Sequence, residues 1–238
     1  MYRSKTVALI IPARNEALTL PYVLQAIPKE VDRILVVDNG STDDTPRVAK
    51  ECGAEVVSEP RAGYGRACLA GLAAQEPDPP DIVAFADADG SDDLRRLFEL
   101  LDPLVDRQAE LALAMRIPVE PEALSLQQRF GNWLATRLIL LFWGHNYKDL
   151  GPMRAITWNG LKRLGMRDTN FGWTIEMQVK ALKKGLRIKE IPIPYLRRKA
   201  GQSKVSGTLA GSLRAGTKIL WIIGREIFNG SGSCKVRP

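Results

Sequence analysis

The 238-residue sequence predicts an α/β fold with a mainly parallel sheet flanked by helices. Two observations predict it. Short β-branched runs alternate with windows of helical apolar spacing through the first part of the chain, and three of those runs end in clusters of Asp, Asn, Ser and Gly.

The elements follow in order. Thr6 to Ile11 reads as a strand, Glu16 to Ile27 as a helix and Arg33 to Asp38 as a second strand, which together make a βαβ opening. A helix over Asp44 to Cys52, a strand at Ala54 to Ser58, a helix over Tyr64 to Gln75 and a strand at Ile82 to Asp87 continue the pattern. Glu76 to Asp81 and Ile117 to Glu122 are polar and proline-bearing, and read as surface connections. Helices over Ser125 to Gly144 and Trp173 to Lys184 and a strand at Arg187 to Ile193 come next, then a basic loop at Lys199 to Ser206. A last amphipathic helix is expected over Leu209 to Phe228, ahead of a Gly/Ser tail. The division expected is one domain over residues 1–206 with a helical extension and tail over 207–238.

Composition narrows the partners. A net charge of +7 and a pI near 9.4 favour an anionic ligand: a nucleotide diphosphate, lipid headgroups or nucleic acid. Cys52, Cys68 and Cys234 are odd in number and unpaired in spacing, so neither a disulfide framework nor a zinc site is suggested. The expected setting is cytoplasmic. Val7 to Ile11 is too short for a signal peptide core, and Leu138 to Trp143, the longest apolar run, is far short of the ~20 residues that cross a bilayer. Contact with the inner face of a membrane stays open.

Ligands of parallel α/β sheets bind at the carboxyl ends of strands. There the sequence places Pro12-Ala13-Arg14-Asn15-Glu16, then Asp38 to Asp43, then Asp87-Ala88-Asp89-Gly90-Ser91-Asp92. Any one of these loops is explained by turn and cap chemistry; three on one rim would make a nucleotide site. In extended chain Asp87 and Asp89 point the same way, so both carboxylates can face one hard cation, Mg²⁺ or Mn²⁺, and the diphosphate it carries. Asp89 is the expected metal ligand and Asp87 its partner, and Ser91, the next residue on that side, or Asp92 is expected to add an oxygen or a water-bridged contact. Alternatively, Ser91 caps a following helix whose dipole Asp92 and Asp93 serve.

These three loops resemble the motifs of family-2 glycosyltransferases with the GT-A fold, a Rossmann-like architecture. The likeness is greatest to the branch that glycosylates polyprenyl and dolichyl phosphates, and it spans about Thr6 to Ser206. The resemblance implies that Pro12, Ala13, Asn15 and Glu16 line the nucleotide pocket and that Asp38 reads the base edge. It implies further that Gly63, Gly65 and Arg66 border the donor, and that Asp87, Ala88 and Asp89 meet ribose, diphosphate and metal. Asp149 to Arg154 resembles the family's acceptor-side Asp…Gly-Phe-Arg segment, with Met153 where an aromatic is common. Phe171 to Glu176 matches an aromatic-rich helix start, and Arg197, Arg198, Gly201, Ser203 and Lys204 match a basic Arg…Gly-x-Ser-Lys loop thought to close over phosphates. A solvated charge run is the plainer reading of that loop.

The resemblance makes the protein a hexosyltransferase that takes a sugar from a UDP- or GDP-sugar to a polyprenyl-phosphate acceptor with inversion. The alternative is a soluble hydroxyl acceptor. A phosphate acceptor is already anionic and needs no protein base, so Arg154, Arg197 and Lys204 are expected to hold it. A hydroxyl acceptor needs a base, for which Asp149 and Glu176 are the candidates. His145, the only histidine, sits in a turn and reads as structural.

Leu134, Leu138, Leu141 and Phe142, with Trp133, Arg129 and Arg137, suggest either an interfacial or a core helix; the last helix suggests lipid contact or homo-oligomerisation. Other classes fit less well. A nicotinamide dehydrogenase needs Gly-x-Gly-x-x-Gly after the first strand, and a sugar nucleotidyltransferase a glycine-rich basic loop there; Pro12 to Glu16 is neither. A nucleic-acid-binding module gives no reason for Asp38, Asp87 and Asp89 to gather, so no nucleic-acid partner is expected.

Overall fold

The computed structural model describes residues 1–199 and 209–228, with the side chains of residues 217–227 in the last helix. It contains one seven-stranded sheet. The strands are β1 (Val7–Ala13), β2 (Arg33–Asp38), β3 (Glu55–Ser58), β4 (Ile82–Phe85), β5 (Leu111–Pro118), β6 (Arg154–Thr157) and β7 (Ile188–Tyr195). The helices are α1 (Leu20–Gln25), α2 (Thr45–Glu51), α3 (Tyr64–Ala73), α4 (Leu97–Val105), α5 (Leu126–Trp143), α6 (Trp158–Leu164), α7 (Trp173–Lys183) and α8 (Leu209–Phe228).

The sheet order is β3-β2-β1-β4-β6-β5-β7, and β6 alone among these strands runs against its neighbours. The chain leaves β1 toward β2 and β3, then returns to place β4 on the other side of β1. That reversal opens a crevice beyond the carboxyl ends of β1, β2 and β4, where the three polar clusters lie.

Both sheet faces are covered, and this is why the central strands are apolar without alternation. Val7, Leu9 and Ile11 of β1 point to the side of α1, α2 and α4; Ile10, with Val37, Val83 and Phe85, points to the side of α3, α5, α7 and α8. Helix ends follow local chemistry. Ser125 and Gln128 form a reciprocal capping box at the start of α5, and Gly144 closes that helix at φ 70°.

Several elements differ from expectation. The first helix starts at Leu20 because Glu16 to Thr19 form a turn, with Thr19 and Leu20 N–H both donating to the Glu16 carbonyl. The fourth strand stops at Phe85, two residues before the expected end, so Asp87 to Gly90 is a turn. The segment beginning at Ile117, expected as a connection, is still strand β5 as far as Pro118. Strand β6 escaped notice because it is four residues long and begins with an arginine. Helix α8 packs on α5 and α7, with Ile222 and Ile223 buried.

Candidate active site

The first loop is pinned by its own polar groups. Asn15 takes φ 52°, accepts the Thr42 N–H at 2.7 Å and donates its own N–H to the Ser41 hydroxyl at 3.0 Å, which ties the end of β1 to the end of β2. Glu16 is buried, and its N–H donates to Thr45 Oγ1. Thr19 Oγ1 donates to the Ala88 carbonyl at 2.8 Å, joining this loop to the acidic turn after β4.

The second loop holds the segment after β3. Asp38 accepts the Ser41 N–H at 3.1 Å. Its neighbour Asn39, buried, donates to the carbonyls of Glu59 and Arg61 and accepts the Gly63 N–H at 2.8 Å. Gly63 stands at φ 149°, and a Cβ there would lie 2.2 Å from the Thr169 carbonyl oxygen; at Gly65 it would lie 2.0 Å from that of Asp168. The start of α3 therefore lies hard against residues 168–170, and only glycine permits it. Arg66 contributes its N–H to the Thr169 carbonyl.

The acidic turn completes the rim. Asp89 Oδ1 accepts the Ser91 N–H at 2.9 Å, and Asp92 Oδ2 accepts the Asp87 N–H at 3.0 Å. Burial, then the charge of Asp89, pushes the Asp87 carboxyl up to about 7. Asp92 is raised well above the carboxylate range by burial and then by Asp87. The Tyr64 hydroxyl is buried beside Asp87, and burial and then the Asp87 charge push its pKa up. A cation beside these carboxyls would favour their ionised form. Among the described residues, no three acidic, cysteine or histidine side chains close around one point. Asp87 and Asp89 are thus a two-carboxylate, oxygen-only set, which fits a hard divalent ion whose remaining ligands come from substrate and water.

Asp87 and Asp89 open, with Pro12, Asn15, Glu16, Asn39, Gly63 and Tyr64, onto a cavity of about 1160 Å³. Its lining also includes Arg198, which lies at the acidic strand ends against Glu16 and Asp89, then Arg116, and apolar side chains of α5 and α8, among them Phe130, Leu134, Ile219 and Leu220.

The structure redistributes the other predicted residues. Ala13 and Ala88 line the cavity with their loops, whereas Asp38, Arg66 and Ser91 do not. For Ser91 the reason is local: the strand has ended and Gly90 turns the chain at φ 76°, so the two-residue alternation does not reach it. Arg154, expected at the acceptor phosphate, is fully buried; its guanidinium donates to the carbonyls of Gly151, Pro152 and Thr174. Burial also lowers its pKa. It holds the turn before β6 against the start of α7. Asp149 is engaged by Arg116 through Nε at 2.7 Å and Nη2 at 2.8 Å, and also accepts the Arg116 N–H. Glu176 is fully buried, accepts the Arg167 and Asp168 N–H groups and pairs with Lys180 and Arg225. Neither carboxylate is placed as a base for an incoming hydroxyl. Met153 is core, not lining. Arg197 is exposed, and its neighbour Arg198 faces the cavity instead, as alternation along an extended segment requires. Ser203 and Lys204 lie outside the described residues.

Asn39 belongs to the predicted cluster Asp38 to Asp43, directly after β2, although no separate role is read for it there. Tyr64, Asn170, Tyr195 and Arg116 are among the lining residues outside the predicted set. Arg116 had a faint signal, a lone charge ending the apolar run Leu111 to Met115; it also stacks over the Tyr195 ring at 5.3 Å.

Comparison with known proteins agrees with this architecture. The profile described as glycosyl transferase family 2 matches residues 8–160. An uncharacterized glycosyltransferase of Mycobacterium bovis is 42% identical over 210 residues, 88% of this chain and 94% of that protein. The dolichyl-phosphate hexose transferase of Haloferax volcanii is 30% identical over 223 residues, 92% of this chain and 94% of its own. Among solved structures, glucosyl-3-phosphoglycerate synthase from Mycobacterium tuberculosis, in complex with Mn²⁺, UDP-glucose and phosphoglyceric acid, superposes with a TM-score of 0.70. The two are 24% identical, and the match covers 93% of this chain and 80% of that one. That likeness speaks to the fold, which is GT-A. With its crevice at the β1/β4 reversal and the family profile running through all three loops that build it, the chain belongs to glycosyl transferase family 2.

Proposed function

We propose that this glycosyltransferase moves a hexose from a nucleotide-sugar to a polyprenyl-phosphate-type lipid, with inversion and with Mg²⁺ or Mn²⁺. The observation that carries the reading is the continuity of the cavity. One cavity joins a nucleotide end, edged by Asp87, Asp89 and Arg198, with Arg116 and with apolar side chains of α5 and α8. At about 1160 Å³ it exceeds the ~300–1,000 Å³ usual for one small ligand. The relationship to a dolichyl-phosphate hexose transferase supports the same acceptor class.

In this reading Pro12, Asn15, Glu16 and Asn39 seat the nucleotide, and Asp87 and Asp89 hold the divalent ion. That ion would offset the charge growing on the departing nucleoside diphosphate. Arg116, whose side chain is locked by Asp149, presents its remaining N–H groups to the acceptor phosphate. An acceptor phosphate oxygen attacks the anomeric carbon as the bond to the diphosphate breaks, the electron pair leaving with the diphosphate. No protein base is required, which agrees with Asp149 and Glu176 both being engaged elsewhere.

The exposed face of α5 supports peripheral contact with a membrane. Leu126, Phe130, Trp133 and Leu141 recur on one side, and Arg129 and Arg137 are exposed on the same helix. No helix among the described residues is long and apolar enough to cross a bilayer. Flotation with anionic liposomes at low salt should carry the protein; equal recovery without liposomes would count against this surface.

A second reading, a small soluble acceptor, is favoured by Arg116, which would hold a soluble phosphate equally well, and by the bound phosphoglyceric acid of the structural neighbour. UDP- and GDP-sugars incubated with polyprenyl phosphate or 3-phosphoglycerate, with and without Mn²⁺, and followed by mass spectrometry decide between them. Transfer to the lipid is expected. Transfer to phosphoglycerate alone overturns the lipid reading.

A further inference from the structure

Arg198 stands where two acidic strand ends meet. The segment carrying it is fastened to the acidic turn by main-chain hydrogen bonds, Leu196 N–H to the Ser91 carbonyl at 2.8 Å and Lys199 N–H to that of Asp89 at 3.3 Å. From this strap the guanidinium reaches Glu16 Oε1 through Nη1 at 3.1 Å and Asp89 Oδ2 through Nη2 at 3.1 Å. The Glu16, Asp89 and Arg198 side chains are 7%, 14% and 21% exposed, so solvent screens these contacts only in part. A protein cation therefore bridges carboxylates from the ends of β1 and β4, and engages one carboxylate oxygen of Asp89, while the other accepts the Ser91 N–H.

We infer that Arg198 is an internal counter-ion that keeps free divalent metal off Asp89 and yields that carboxylate only when the metal arrives with a diphosphate, so that metal and nucleotide bind as a coupled pair. The inference rests on the nucleotide-sugar reading above. A lone divalent ion at Asp89 must break the contact with Arg198 and then lie beside the displaced guanidinium, positive against positive in a poorly screened site. A diphosphate changes the balance, because its oxygens give the displaced guanidinium a new bidentate partner. The group that obstructs the bare ion then becomes a ligand of the complex. By linkage, the factor by which nucleotide tightens metal equals the factor by which metal tightens nucleotide.

The test measures Mn²⁺ binding to the whole chain from the electron paramagnetic resonance signal of the free ion, with no nucleotide, with UDP and with GDP. In the wild type, one nucleotide should tighten Mn²⁺ by roughly tenfold or more, within the range usual for coupled sites. Arg198→Gln should bind free Mn²⁺ about tenfold more tightly than the wild type and lose most of the coupling. Arg198→Lys, which keeps the charge, should stay near the wild type in free Mn²⁺ affinity and guards against a fold defect in the glutamine variant. A glutamine variant that folds and binds free Mn²⁺ no more tightly than the wild type overturns the counter-ion role. Failure of the wild type to bind either nucleotide at any Mn²⁺ concentration overturns instead the nucleotide-sugar reading, and the coupling with it.

Discussion

Removing the Asp149 carboxylate should destabilise the protein strongly while leaving no signature of a lost catalytic base. Asp149 accepts three hydrogen bonds from Arg116, at 2.7, 2.8 and 3.0 Å, and the two side chains are 7% and 11% exposed. In Asp149→Ala the guanidinium stays in place with its charge uncompensated, a situation that costs about 3–5 kcal/mol. For a chain of this size each kcal/mol lowers Tm by about 2–4 °C, so the expected fall is about 6–20 °C by calorimetry. Replacing both partners by apolar residues of similar size, as in Arg116→Met with Asp149→Leu, should recover much of that loss, because the pair repays its own desolvation only weakly. A double-mutant cycle in urea gives the coupling directly. A fall in Tm below about 2 °C for Asp149→Ala would refute the argument. So would an Asp149→Asn enzyme that stays stable but loses the acidic limb of its pH–rate profile, since that is how a base behaves.

Asp89→Ala should reduce transfer at least about 100-fold while leaving the melting temperature near that of the wild type, because the residue serves the site and not the core; assays with saturating Mn²⁺ check it. Gly63→Ala would place a methyl group 2.2 Å from the Thr169 carbonyl oxygen, so calorimetry should show a loss of about 1–3 kcal/mol and kinetics a raised donor KM. Glu59 carries the pH prediction. The Arg61 side chain, then the Arg61 N–H, holds its carboxyl down to about 2. A carboxyl lowered on folding stabilises above its unfolded value of about 4.3, and that contribution disappears as pH falls toward 2. Glu59→Gln should therefore melt below the wild type at pH 7, with the gap narrowing below about pH 4 and closing only toward pH 2; a gap that widens in acid contradicts the assignment.

Much of the fold and part of the site could be read from the chain. Strand β1 is legible because both of its faces are buried, so Val7 to Ile11 is apolar throughout. Strand β6 was hidden because the charge at its start, Arg154, satisfies itself on carbonyl groups that only the folded chain brings near. The turn at Gly90 was hidden as well, and with it went the expectation that Ser91 would share a face with Asp89.

Local chemistry by itself determined where the acidic groups stand. Carboxylates at the end of β2 and just beyond β4 are a property of short stretches of sequence, and Asp87 and Asp89 do meet at one cavity. Which cations answer them was decided only by tertiary structure. Arg198 reaches Glu16 across 182 positions of sequence, Arg116 and Asp149 meet across 33, and Arg225 takes up Glu176 across 49. A charged side chain becomes a ligand or a buried support according to the partner that packing sets beside it, and packing of distant segments is not written in the spacing of neighbours.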